Sequence, residues 1–185
     1  MSNKNFAKSL MMSEDVQMML VTGAFFNGSN VRAEVHDGAL VVLGAVQDHS
    51  TYTGLKDPNV RKITAPTADT ASVAIVDFVG VNQTDANGVA YRVGEKTFGL
   101  TCPADRQTRV RRLAKGDTFW LADGNFASAP TVGEYAIPTA NSTLLTPSST
   151  LVTTKFCVKV EFKQAVTQGN VNTGYQYFCT VETLI

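Results

Sequence analysis

Apolar and polar positions alternate in short runs along much of this chain, with turn residues separating the runs at intervals of about ten residues. The cleanest alternation lies at 156–163. Phe156, Val158, Val160 and Phe162 fall on one face of a strand, and Cys157, Lys159, Glu161 and Lys163 on the other. Residues 175–183 are expected to return beside it after a loop rich in Gly and Asn. Asp37-Gly38 suits the positive φ angles of a type I′ turn, and it predicts a hairpin joining 32–36 to 39–43. Residues 107–113 are expected to pair with 118–122 across Lys115-Gly116-Asp117. A further pair within 121–137 is expected to turn at Asp123-Gly124-Asn125. The longest apolar run, 72–81, is short and β-branched and reads as a central strand, with further strands at 60–63 and 89–93. Two prolines and many Ser and Thr predict a loop or irregular edge over 138–150.

Upstream the pattern weakens. Residues 1–22 read as an arm, in which Ser13 can cap a short helix over 14–21, although an extended segment fits nearly as well. The turn-rich stretch 23–31 marks a joint. These elements predict an all-β fold, an antiparallel barrel or sandwich of short strands with an N-terminal arm. The division is an arm at 1–22 and a β domain at 23–185, with a hairpin subregion at 32–43.

Length and composition sharpen this picture. A chain of 185 residues with 44% hydrophobic content is enough for one domain with an arm. Sixteen basic and sixteen acidic residues cancel, and charged residues make up 17% of the chain, against about 25% in ordinary globular proteins. A low-charge surface rich in Thr, Ser, Gly and Ala suits a protein that lies against a partner or works outside a cell. Neutrality argues against nucleic acid, which requires clustered positive charge. No stretch approaches the roughly 20 apolar residues of a membrane span. Residues 1–22 carry neither the apolar core nor the cleavage site of a signal peptide, so synthesis in a cytoplasm is expected. The three cysteines, Cys102, Cys157 and Cys179, make no disulfide framework and read as free thiols. A hairpin of 156–163 with 175–183 would nevertheless bring Cys157 and Cys179 near each other.

Candidate chemistry is sparse. There are two histidines, His36 and His49. Glu34 and His36 share a strand face near Asp48-His49, but ordinary hairpin and loop positions explain them as well as a metal does. Asp48, His49 and a serine could be assembled into a hydrolase triad on paper, yet no Gly-x-Ser-x-Gly elbow accompanies them. No catalytic residue, cofactor or metal is therefore expected. Arg106, Arg109, Arg111 and Arg112 form the one basic concentration, with Arg109 and Arg111 facing one way and Arg112 the other. A solvated, salt-bridged strand accounts for them, and so does a docking patch for an acidic protein surface. Trp120, with Phe119 and Tyr135, reads as core or subunit interface, with a carbohydrate-stacking platform as the alternative.

One resemblance gives these elements a context. The order Gly116-Asp117-Thr118-Phe119-Trp120-Leu121, then Val132-Gly133-Glu134-Tyr135-Ala136-Ile137, then a strand from Lys155, resembles the small β proteins that decorate tailed-bacteriophage heads. Asp37-Gly38-Ala39-Leu40-Val41-Val42-Leu43-Gly44 is similar to the opening of such proteins, and the likeness covers roughly 32–185. It consists of hairpin syntax rather than chemical motifs. The resemblance implies a decoration, or cement, protein on the virion surface that braces neighbouring subunits of the major capsid protein. It implies a homo-oligomer with no enzymatic activity and neither nucleic acid nor membrane as partner. Capsid contact would fall to the arm through Met11, Met12, Met18 and Met19, to the hairpin through Arg32 and His36, and to Arg109 and Arg111. A tail or baseplate component, or a receptor-binding β module, is the alternative.

Overall fold

The structure, a computed structural model, describes residues 7–8, 20–46, 60–66, 73–77, 101–168 and 171–184. Along the chain the strands are β1 (Ala7–Lys8), β2 (Leu20–Phe25), β3 (Val35–His36), β4 (Leu40–Val46), β5 (Val60–Thr64), β6 (Val73–Asp77) and β7 (Thr101–Cys102). They continue as β8 (Thr108–Arg112), β9 (Thr118–Ala122), β10 (Tyr135–Pro138), β11 (Leu145–Ser148), β12 (Cys157–Gln168) and β13 (Val171–Thr183), with a 3-10 turn at Asp123–Asn125. The fold is all-β. Five strands close a barrel in the order β2-β5-β4-β6-β8, and six form an open sheet in the order β1-β9-β13-β12-β10-β11. Every ladder is antiparallel except β2 with β5.

Side-chain size explains why five strands suffice to close the barrel. Val41, Ile63, Ala74, Val76 and Val110 are fully buried in one cluster, and cross-strand register puts Val41 opposite Ala74 and Val76 opposite Val110. At Gly23 a Cβ would come within 2.9 Å of methyl groups of both Ile63 and Val110, so the strand can approach only because the side chain is missing. The opposite face of the same strands is not solvated. Leu40, Val73 and Ile75 share a second core with Phe119, Leu121, Val158, Val160 and Tyr177 of the sheet. This is why β6 reads as an unbroken apolar run: one face fills the barrel and the other meets the sheet, and all five of its residues are buried.

Three expected hairpins are absent, although their turns are present. At Asp37-Gly38, the N–H of Ala39 donates to His36 O at 3.2 Å. Only Gly38 has positive φ, at 74°, whereas a type I′ turn needs it at both central residues. The flanking strands part company: β3 pairs with β7, and β4 pairs with β5 and β6. At Lys115-Gly116-Asp117, Gly116 takes φ 90° and Asp117 N donates to Ala114 O. There β8 stays in the barrel while β9 joins β13 in the sheet. At Asp123-Gly124-Asn125 the chain makes a 3-10 turn, and β10 pairs with β11 and β12 rather than with β9. The physical reason is common to all three. The turns bend the backbone locally, but the flanking strands set their apolar residues against other strands: Val41 opposite Ala74, Phe119 opposite Cys179, and Ala136 opposite Val158.

Further differences follow. Residues 20–22, assigned to the arm, form β2 together with 23–25, so the turn-rich joint reduces to 27–30, where Asn30 takes positive φ. The irregular edge at 138–150 contains β11, with Pro147 on the outermost strand of the sheet, where a missing N–H is tolerated. The expected strand at 89–93 and the residues Asp48 and His49 lie outside the described residues. Polar contacts then fasten the barrel to the sheet. Asn125 donates to Asp37 O at 3.0 Å and accepts from Ala122 N, and Leu40 N donates to Thr143 O at 3.0 Å.

Candidate docking surface

The sheet is anchored through one face, and its other face carries Phe162, the most exposed aromatic side chain among the described residues. In β9, Phe119 and Leu121 point into the shared core, so period two sends Trp120 outward. Register then places Trp120 opposite Phe178 on β13, and Phe178 opposite Phe162 on β12. The three rings form a row across three strands. Trp120 and Phe178 have centroids 5.2 Å apart, and Phe162 meets Trp120 edge-on at 6.1 Å. Such pairs add about 0.5–1.5 kcal/mol beyond the area they bury. The row ends in the open, because Phe162 is 53% exposed.

Phe162 stands outside the core because of a bulge. The register of β12 on β13 slips between Val160 and Phe162, so that two steps on β12 match one step on β13, from Cys179 to Phe178. The extra residue turns Phe162 away from the face of Val158 and Val160. This corrects the expectation that Phe156, Val158, Val160 and Phe162 share one face of a strand: the first three are buried and the fourth is turned out. Past Gln164 and Gln176, where β9 ends, β12 and β13 pair only with each other among the described residues, as a ribbon, and Val166 still packs with Ala122. β9 accompanies β13 only over 176–180, and β10 accompanies β12 only at Val158 and Lys159. Residues 161–165 are all exposed. Val132, itself 49% exposed, leads into Gly133 and Glu134, whose backbone bonds hold Val160 at the root of this edge.

Charged side chains flank Phe162 along β12. Lys159 and Glu161 form an ion pair at 3.1 Å, which holds the Lys159 ammonium above its ordinary range. Lys163 lies 4.0 Å from the ring centroid of Tyr175 and 5.5 Å from that of Tyr177, a cation–π pair at the ribbon's base. Tyr177 is fully buried, and burial first, with the neighbouring Asp123 carboxylate second, pushes its hydroxyl well above the usual tyrosine range. It stays neutral and packs edge-on against Phe126 at 5.3 Å. No family model, curated protein or solved structure matches this chain.

The residues singled out from sequence are scattered relative to this row. Arg109 and Arg111 do come together: both grip Asp77 Oδ2, at 3.1 and 2.6 Å. Asp77 is buried, so the pair is tied to a structural carboxylate, and Arg109 remains about half exposed. Arg32 donates to Arg106 O at 2.7 Å. His36 is half-buried, with Nδ1 2.9 Å from Thr101 Oγ1. None of these four belongs to the aromatic row, and Met11, Met12, Met18 and Met19 lie outside the described residues. Among the described residues, no group of three or more His, Cys, Asp or Glu side chains is placed to hold a metal ion. All three cysteines are free and buried. Cys157 stands opposite Thr183 and Cys179 opposite Val160, so the hairpin does not set the two thiols against each other. Burial pushes the thiol of Cys102 up to about 11 and raises those of Cys157 and Cys179 as well, leaving poor nucleophiles.

Sequence reasoning found Trp120 and missed Phe162 and Phe178. The local pattern carries no signal for Phe162. The flanking charges Glu161 and Lys163 are no such signal, since Val160 is flanked by Lys159 and Glu161 in the same way and is fully buried; only the bulge separates the two. Nothing local announces the Trp120–Phe178 pairing, which depends on how β13 registers on β9.

Proposed function

We propose that this chain is a structural virion protein that binds the outer surface of a tailed-phage capsid and braces neighbouring subunits of the major capsid protein. The resemblance over 32–185 suggests this reading. The observation that carries it is the Trp120–Phe178–Phe162 row, which ends in a half-exposed ring on a sheet whose back is fixed to a closed barrel. Aromatic anchors on a rigid support are the groups from which interfaces draw most of their binding energy, and little ordering cost opposes their docking. The action is mechanical. Each copy covers a joint between capsid subunits, and many copies attached side by side make modest single contacts strong in sum. On this reading the protein is made in the host cytoplasm, ends on the capsid exterior, sits beside further copies of itself and catalyses nothing.

The test is sedimentation of the purified full chain with capsid shells that lack it. Saturable binding at a fixed ratio to capsid subunits is the expected result, with Phe162→Ser weakening it at least about tenfold, as for an interface anchor. Shells that bind no protein at any concentration would overturn the reading. The same row favours one second reading, a receptor-binding module, because an exposed aromatic ring also stacks on sugars. Binding to glycans or cells in place of shells would select it.

A further inference from the structure

We draw no further inference here: the strongest candidate, the exposed edge of the β12–β13 ribbon from Phe162 to Ala165 beside the aromatic row, belongs to the surface already described, and nothing in the structure shows what else covers it.

Discussion

The barrel and the sheet solve the edge problem in opposite ways. In the barrel, β8 closes back onto β2, so each strand has two ladder neighbours and no row of backbone groups is left over. Its interior consists mainly of small and β-branched side chains, and its outer face supplies Leu40, Val73 and Ile75 to the common core. The sheet stays open, and its central hairpin runs on past its neighbours as a ribbon. That ribbon carries devices that blunt an open edge: a bulge at Glu161, another irregularity at Val166/Thr167, and the lysine Lys163. An apolar ring nevertheless remains uncovered there. The lesson is that one chain can place its stability in the barrel and in the core the sheet shares with it, and leave the sheet's outer face free to make contacts. Mutations should therefore separate the two: core changes alter folding, and row changes alter binding.

The largest effect tests whether barrel and sheet really share a core. Phe119 is fully buried between them, so Phe119→Ala should cost about 3–5 kcal/mol and lower the urea midpoint in a single cooperative transition. Two separated transitions would break the picture of one core. The next effect belongs to the barrel alone. In Gly23→Ala, the new methyl meets Ile63 and Val110 at 2.9 Å, and overpacking should cost about 1–3 kcal/mol. An unchanged midpoint would mean that the barrel is looser than its packing indicates.

A third test uses pH. Cys102 packs with the barrel cluster, and burial raises its thiol from 9.0 to about 11. Between those values the unfolded chain releases the proton while the folded chain keeps it. The stabilisation is thus complete below about pH 9 and is lost as pH rises through about 11. Unfolding midpoints at about pH 8 and about pH 10.5 should differ by an amount to which Cys102 contributes roughly 2 kcal/mol. Cys102→Ala should flatten the dependence by that share. A slope that the substitution leaves unchanged would assign it to other groups.

The same contrast shows what a sequence can disclose. Strand positions and turn positions were legible, since both depend on local rules: period-two burial in β12, β-branching in β6, glycine at Gly38 and Gly116. Partner choice was not. Whether β9 lies against β8 or against β13 depends on the apolar faces of residues more than fifty positions away, and a local turn carries no information about them. The surroundings of the candidate residues were hidden for a related reason. Period two correctly put Arg109 and Arg111 on one face, but their shared partner Asp77 lies on a distant strand. The bulge at Glu161 is a one-residue insertion in a ladder, visible only once both strands are registered, and it alone decides that Phe162 is outside.

That residue gives the smallest effect on folding and the sharpest test of the comparison. Phe162→Ala removes a half-exposed ring and its edge contact with Trp120, so stability should fall by about 1 kcal/mol or less. On the proposed reading, binding to capsid shells should fall far more than stability does. Phe119→Ala should behave in the opposite sense, weakening folding while leaving the affinity of the surviving folded fraction near its starting value. If Phe162→Ala instead destabilised the chain as strongly as Phe119→Ala, the ring would belong to the core and the separation of stability from contact would be wrong. If it changed neither folding nor binding, the aromatic row would be a passive surface, and the docking contact would have to be sought around Arg109 or His36.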